Sequence, residues 1–567
     1  MSKSIATFSA LNRAEMIDQI DNEIFDLLVI GGGVTGCGIA LDAASRGLKV
    51  ALVEQRDYAS GTSSKSTKLI HGGLRYLKQF DIGLVRETGT ERAIVHRLAP
   101  HLVLPEKMLM PLIEGGNYGK LATSFGLKVY DILAGVSGDD RRRMLSKEET
   151  LEMEPLLEAK GLKGGGYYAE YRTDDARLTI ELIKTAVRHG ALATNYCKVV
   201  DFEYGENGKI VGAKCEDQMN GDKFVINAKK IVSAGGPWVD RLRKTDGSLQ
   251  GKRLHLTKGV HVVFPFEKLP LNHTTYFDGP DGRMIFAIPR GRVTYVGTTD
   301  TTYDGRLDRV VATKEDAQYL LRAVRHAFPS VEISQEDMIS NWAGLRPLIH
   351  EDGKSPSELS RKDEIFVSDK GLISIAGGKL TGYRKMAQRI VDLVTDQMED
   401  EGSKDYPSCK TKSIPLTEVP FDNFQDSLEY IDTIAPRLEQ YGLKPYHAWY
   451  LTTTYGRQAD VIIEKIEDFR SQKPEVALAR AEVWYGVLHE MVSSAEDFFV
   501  RRTGRLYFDI QTIPLVREAV MQDLQITLDW DKESMTSEQK NLDELLYDAT
   551  HYYETELLAT SDKMTSK

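Results

Sequence analysis

The hydrophobic pattern changes period along the chain. From Phe25 to Ile30 nearly every position is apolar, as in a parallel strand covered on both faces. Ile39, Ala40, Ala43 and Ala44 then recur at helical spacing, and Lys49 to Val53 reads as a second short strand. The spacing predicts a helix over Asp174 to His189. Strands follow at Lys198 to Tyr204 and Ile210 to Glu216, joined through Glu206-Asn207-Gly208. Residues 229 to 240 read as another buried strand running into glycines, and 254 to 303 alternate with period two, which predicts an antiparallel sheet. Residues 364 to 376 predict a hairpin that enters Gly377-Gly378-Lys379-Leu380-Thr381, with a helix from about Tyr383 to Met398. Past a polar, Pro-containing stretch near residue 402, Val483, Val487, Met491, Ala495 and Phe498 return at helical spacing.

These elements predict an α/β protein of several units, as the 567-residue length also suggests. Segments 20–83, 161–250 and 339–400 are expected to form a nucleotide-binding domain. Segment 84–160 is expected to be the helical part of a substrate domain, 251–338 its sheet, and 402–567 a separate helical domain.

The first strand ends in a G-x-G-x-x-G, made by Gly31, Gly33 and Gly36. In this context Gly31 suits a tight turn, Gly33 close approach to a pyrophosphate, and Gly36 tight helix–strand packing. The helix N-terminus, with Val34 and Thr35, offers N–H groups to phosphate. Glu54, at the end of the second strand and followed by Gln55, is placed to accept from a ribose. The stretch after it is crowded with hydroxyls and reads as a loop folded onto a cofactor. Its cofactor positions are Thr62, Ser63, Ser66, Thr67, Lys68, Leu69, Gly72 and Gly73. Val199 and the run Ala234, Gly235 and Trp238 suit a second approach to the same ligand, and Gly378, Lys379, Leu380 and Thr381 a third.

Composition narrows the field. A net charge of −11 argues against a nucleic-acid partner. The uncharged run Leu27–Leu41 is too short and glycine-rich to span a membrane, and the N-terminal stretch has no secretory h-region. The four cysteines, Cys37, Cys197, Cys215 and Cys409, have neither metal nor disulfide spacing and read as reduced cytoplasmic thiols. No metal-ligand cluster stands out.

IGGGVTGCGIALDAASRG (30 to 47) and GGKLTGYRKMA (377 to 387) resemble the two signature stretches of the FAD-dependent glycerol-3-phosphate dehydrogenases of the aerobic type. HGGLRYL, DDAR, AGGPWV, GTTD, WAGLRPL and FVRRT follow in that family's order. The resemblance implies an FAD-binding Rossmann-like domain of the glutathione-reductase/amino-acid-oxidase type. It implies oxidation of sn-glycerol 3-phosphate to dihydroxyacetone phosphate, with the hydride going to flavin N5. It also assigns the substrate to Arg75, Arg346 and Lys379, with Tyr76 and Arg361 as weaker candidates. These cations also suit a phosphate dianion on chemical grounds, because each sits beside glycines that bring backbone toward the cofactor.

A neutral base must take the hydroxyl proton. His71, beside the cofactor loop, is the first candidate and His261, on an alternating strand, the second. A quinone acceptor is expected, with peripheral contact on the inner face of the cell membrane, and a homodimer is compatible with the resemblance. The rival readings are a glycerophosphate oxidase making hydrogen peroxide, an NAD-dependent dehydrogenase, and a non-catalytic flavin-binding scaffold. The long oxidase insertion is absent from this sequence.

Overall fold

A computed structural model describes residues 8–71, 82–116, 142–350 and 363–555. Two sheets carry the architecture. In the first, the strand order is Glu364–Val367, Leu372–Ala376, Lys223–Ser233, Ile24–Ile30, Val50–Val53 and Leu192–Thr194. The central pairings are parallel. An antiparallel pair, Cys197–Tyr204 and Ile210–Asp217, joins through the long strand Lys223–Ser233. The near-continuous apolar runs are explained by burial on both faces. Leu27 and Val29 pack under the helices Val34–Ser45, Asp175–Arg188 and Tyr383–Asp400, whereas Leu28 and Ile30 pack on the other side against Phe202 and Ile226. This sheet holds the cofactor turn at its carboxyl edge, where an open parallel sheet binds ligands.

Among the described residues the second sheet has ten strands, and its longest pairing joins Arg253–Pro265 to Ser340–His350 in one antiparallel register, from Arg253↔His350 to Val263↔Ser340. Several expected boundaries move as a result. Ser340–His350 was expected in the nucleotide-binding unit (339–400) but belongs to this second sheet. Leu162–Arg172, expected with 161–250, also lies here, paired with Leu104–Ile113. Segment 84–160, expected to be helical, has helices at Ile82–Leu98 and Lys147–Met153 but strands at Leu104–Ile113 and Arg143–Leu145. The Leu- and Met-rich strand Leu104–Ile113 has weak β-propensity of its own, and its ten-residue pairing overrides that preference.

The C-terminal helices were expected to form a separate domain, but they share their core with the second sheet. Val483, Phe498, Phe508, Val516 and Leu524 pack in one cluster with Leu69, Met108, Tyr168, Tyr295 and Trp342. A second cluster, around Tyr430, Leu451, Ile463 and Leu478, is confined to the C-terminal helices. Burying each large apolar side chain stabilises by about 1.5–3 kcal/mol, so the shared cluster makes the tail part of the body.

Buried ion pairs join the same parts. Asp57, fully buried just past the strand Val50–Val53, accepts from Arg501 Nε at 2.6 Å and from both Nη atoms of Arg502 at 2.7 and 2.9 Å. Burial pushes its carboxyl up, but Arg502 and Arg501 more than offset this and hold it below its ordinary value. Glu490 likewise takes a two-pronged contact from Arg177 at 2.7 and 2.8 Å and another from Lys184 at 2.9 Å. Removing one partner of such a pair costs about 3–5 kcal/mol.

Candidate functional site

The glycine turn is built by close backbone approach. Gly31 has φ +115°, and a Cβ there would lie 2.6 Å from the Ala234 carbonyl oxygen. A Cβ on Gly36 would lie 1.9 Å from the Gly31 carbonyl oxygen, so only hydrogen lets the helix Val34–Ser45 start against the strand. That helix has no side-chain cap at Gly33, and its Val34 N–H donates to Ser63 Oγ at 3.0 Å. Glu54 is 8% exposed; its Oε2 accepts from Gly32 N at 2.7 Å and its Oε1 from Arg56 N at 2.9 Å. Burial pushes its carboxyl up despite these two donors. A carboxylate has about four lone-pair sites, so the two bonds fix its direction and leave capacity for a ribose hydroxyl.

These elements surround a cavity of about 450 Å³. Sixteen of the expected cofactor residues line it: Gly31, Gly33, Val34, Thr35, Glu54, Gln55, Thr62, Ser63, Ser66, Val199, Ala234, Gly235, Trp238, Gly378, Lys379 and Leu380. The donor set suits a dinucleotide: an uncapped helix N-terminus for phosphate, a buried carboxylate for ribose and hydroxyls from a folded loop. Trp238 Nε1 is buried with no hydrogen-bond partner among the described residues, which fits a ligand acceptor beside it. The indole packs over Gly61, whose Cβ would lie 3.1 Å from the ring.

Five expected cofactor residues do not line the cavity. Gly36 is turned into the helix–strand contact already described. Thr67 offers its Oγ1 to His261 Nε2 at 3.0 Å, and Thr381 Oγ1 donates to the His71 carbonyl at 3.2 Å. Leu69 is buried in the second sheet, paired with Arg172. Lys68 departs most from expectation. Its φ of +57° turns it away from the cavity, and its ammonium donates to Asp175 Oδ1 at 2.5 Å and the Ser64 carbonyl at 3.0 Å. It also lies 5.7–5.9 Å from the Trp342, Tyr507 and Phe508 rings, so it anchors the loop from behind. Gly72 and Gly73 lie outside the described residues.

Sequence reasoning missed other lining residues, including Ser60, Gly61, Lys198, Pro237, Arg241 and Met386. Ser60 and Gly61 stand in the hydroxyl-rich loop, so that signal extended one step further. The contributions of Arg241 and Met386 come from helix packing, for which the sequence carried no signal.

Pro347 and Lys379 also line the cavity. Pro347 follows Arg346, whose guanidinium lies flat over Gly259: a Cβ there would meet Nη2 at 2.2 Å and Cζ at 2.6 Å. Nη2 donates to Thr298 Oγ1 at 2.8 Å, and Nη1 donates to the Thr299 carbonyl at 3.1 Å and Asp300 Oδ1 at 3.2 Å. Lys379 starts the turn that leads into the helix Tyr383–Asp400, and the His71 backbone adjoins that turn through Thr381. The His71 ring meets Phe286 edge-on at 6.1 Å. Arg75, Tyr76 and Arg361 lie outside the described residues.

His261 is buried, its ring stacked on Trp342 at 4.7 Å and pressed against Gly297, where a Cβ would lie 2.1 Å away. Burial, then the nearby Arg346 and Lys68 charges, push its pKa well below the ordinary value and keep the ring neutral. It sits behind Thr67 rather than on the cavity wall. Among the described residues no cluster of His, Cys, Asp and Glu could hold a metal ion, and no helix is long and apolar enough to cross a membrane.

Comparison with known proteins agrees with this geometry. Residues 26–384 match the family model of the FAD dependent oxidoreductases, and 409–535 match the C-terminal domain of alpha-glycerophosphate oxidase. The chain is 50% identical to an aerobic glycerol-3-phosphate dehydrogenase of Bacillus subtilis over 96% of its own length and 98% of that protein. Its fold matches the crystal structure of a glycerol-3-phosphate dehydrogenase from Bacillus halodurans complexed with FAD. The TM-score is 0.82 and the identity 42%, over 96% of this chain and 99% of that one. An L-alpha-glycerophosphate oxidase from Mycoplasma pneumoniae with FAD bound shares the fold at 20% identity and a TM-score of 0.55. That match covers 70% of this chain and 100% of the other.

Proposed function

Because the chain belongs to the FAD-dependent oxidoreductase family, among its aerobic glycerol-3-phosphate dehydrogenases, we propose that it oxidises sn-glycerol 3-phosphate to dihydroxyacetone phosphate and that its electrons pass to a quinone. The observation that carries this reading is the continuity of one cavity from the glycine turn and Glu54 to Lys379 and Pro347, the neighbour of Arg346. A cofactor seated on the turn reaches toward Lys379, a cation suited to a phosphate dianion.

The residues that would hold the cofactor are Gly31, Gly33, Val34 and Thr35 for the phosphates, Glu54 for the ribose, and Ser63, Ser66 and Leu380 along the wall. FAD supplies, when bound, the two-electron acceptor for the hydride that leaves C2 of the alcohol. Arg346 and Lys379 bind the phosphate and so fix the position of C2. Arg75, Tyr76 and Arg361 are further candidates from the family pattern. His71 takes the hydroxyl proton; its place beside the Lys379–Thr381 turn supports this role over His261, which is occupied behind Thr67.

Glycerol 3-phosphate should bleach the flavin of the purified protein under anaerobic conditions; an unbleached spectrum at saturating substrate would refute the reading. The match of 409–535 to an oxidase C-terminal domain favours a second reading, with oxygen as acceptor. Peroxide formation is then measured against quinone reduction: rapid peroxide release without quinone reduction selects the oxidase. Any membrane attachment is peripheral on this reading, and comes off with high salt or mild detergent.

A further inference from the structure

We propose that Asp300 is a positioning residue for substrate binding, acting through Arg346; the inference rests on the reading of Arg346 as a phosphate ligand. The starting observation is a chemical mismatch. A carboxylate beside a phosphate site opposes the incoming dianion, yet Asp300 Oδ1 lies 3.2 Å from Arg346 Nη1. Its presence is explained by what it does to the guanidinium.

Arg346 crosses the bare backbone of Gly259, which gives it no side chain to lean on. Acceptors from one short stretch help to set its plane. Thr298 Oγ1 takes a bond from Nη2, and the same hydroxyl donates on to the Thr299 carbonyl at 3.1 Å. That carbonyl and Asp300 Oδ1 both accept from Nη1. Thr299 is itself tied down, because its Oγ1 accepts from Val260 N at 3.0 Å. Three consecutive residues thus hold the head of a long, flexible side chain in one orientation before substrate arrives. Ordering such a side chain in advance removes a cost that binding would otherwise carry.

Asp300 differs from the other two anchors because its side chain is 35% exposed and that of Arg346 is 27% exposed. Solvent screens a half-exposed pair, so its charge contributes little and the acceptor oxygen contributes the geometry. Asparagine, which keeps that oxygen, therefore substitutes for Asp300, and alanine does not.

The experiment is steady-state kinetics with sn-glycerol 3-phosphate on flavin-loaded protein, with flavin content and thermal midpoint recorded for each variant. Asp300→Ala should raise KM about three- to tenfold, with kcat within about twofold and flavin content unchanged. Asp300→Asn should restore KM to within about twofold of the parent. In an Arg346→Ala background, Asp300→Ala should add a smaller rise than in the parent, because its effect passes through that arginine. Unchanged KM in Asp300→Ala overturns the proposal, as does equal damage in Asp300→Asn, or loss of flavin or fold in either. If Arg346→Ala itself leaves KM unchanged, the phosphate-clamp reading fails instead. A KM rise in Arg346→Ala without one in Asp300→Ala refutes this inference alone.

Discussion

Replacing Gly36 by alanine tests the cofactor turn at its tightest point. The added Cβ would sit 1.9 Å from the Gly31 carbonyl oxygen and 3.0 Å from its carbon. Real Cβ atoms essentially never approach closer than 3.0 Å, so the helix Val34–Ser45 must move by about 1 Å against the strand Ile24–Ile30. Overpacking of this kind costs about 1–3 kcal/mol. The same movement carries the phosphate-binding N–H groups away from their place over Gly33, so cofactor affinity falls too. Gly33 is the control. It has φ −78°, and its Cβ would meet only Ser63 Oγ, at 3.2 Å. Gly33→Ala should leave the apoprotein almost as stable as the parent while pushing a methyl into the cavity. The assay is the thermal midpoint of each apoprotein with and without FAD, which reads stability and linkage to the ligand together. Gly36→Ala should melt lower without FAD and gain less from it. Gly33→Ala should melt like the parent without FAD and also gain less. A parental melt for apo Gly36→Ala, or a parental FAD response in Gly33→Ala, would refute the assignment of packing to one glycine and ligand approach to the other.

Three further outcomes are expected. His71→Asn should slow anaerobic flavin reduction by roughly 10²–10⁴ while binding of an unreactive phosphate analogue, followed by difference spectra, stays near the parent. Asp175→Asn leaves the Lys68 ammonium without its carboxylate, so urea melts should show a loss of about 3–5 kcal/mol and proteolysis should cut within 60–68. Glu490 gives a pH signature: burial raises its pKa, but Arg177 and Lys184 more than offset this and hold it well below the ordinary value. Its stabilisation is complete above the unfolded value of about 4.3 and is lost as pH falls toward the lower folded value. Glu490→Gln should therefore be less stable at pH 7 and show a flatter acid loss in denaturant titrations.

The cofactor turn was legible because all its parts are contiguous: strand, glycines, helix and Glu54 fall within one short stretch, and each has its own sequence signature. The return at Gly377–Thr381 was legible for the same reason. Periodicity reports that a segment is half or wholly buried, not what covers it. Ser340–His350 and Leu162–Arg172 were therefore expected in the nucleotide-binding unit although they pair in the second sheet, and the C-terminal helices looked separate although Phe498 and Trp342 share one cluster. Lys68 was misplaced because Ser63 and Ser66 just before it line the cavity, whereas its own direction depends on a positive φ and on Asp175, more than a hundred residues away. His261 was legible as a histidine on a strand, but its neutrality depends on burial under Thr67 and Trp342, which no local pattern encodes.

The pairing of Asp57 with Arg501 and Arg502 also sets an order of events during synthesis. The glycine turn leaves the ribosome early, but the carboxylate beside it meets its counter-ions only 444 and 445 residues later. At about 5–20 residues per second, that interval is roughly 20–90 s. Until then Asp57 has no buried counter-ion and stays solvated. A chain truncated before Arg501 carries the whole fingerprint but leaves the Asp57 carboxylate without its counter-ions.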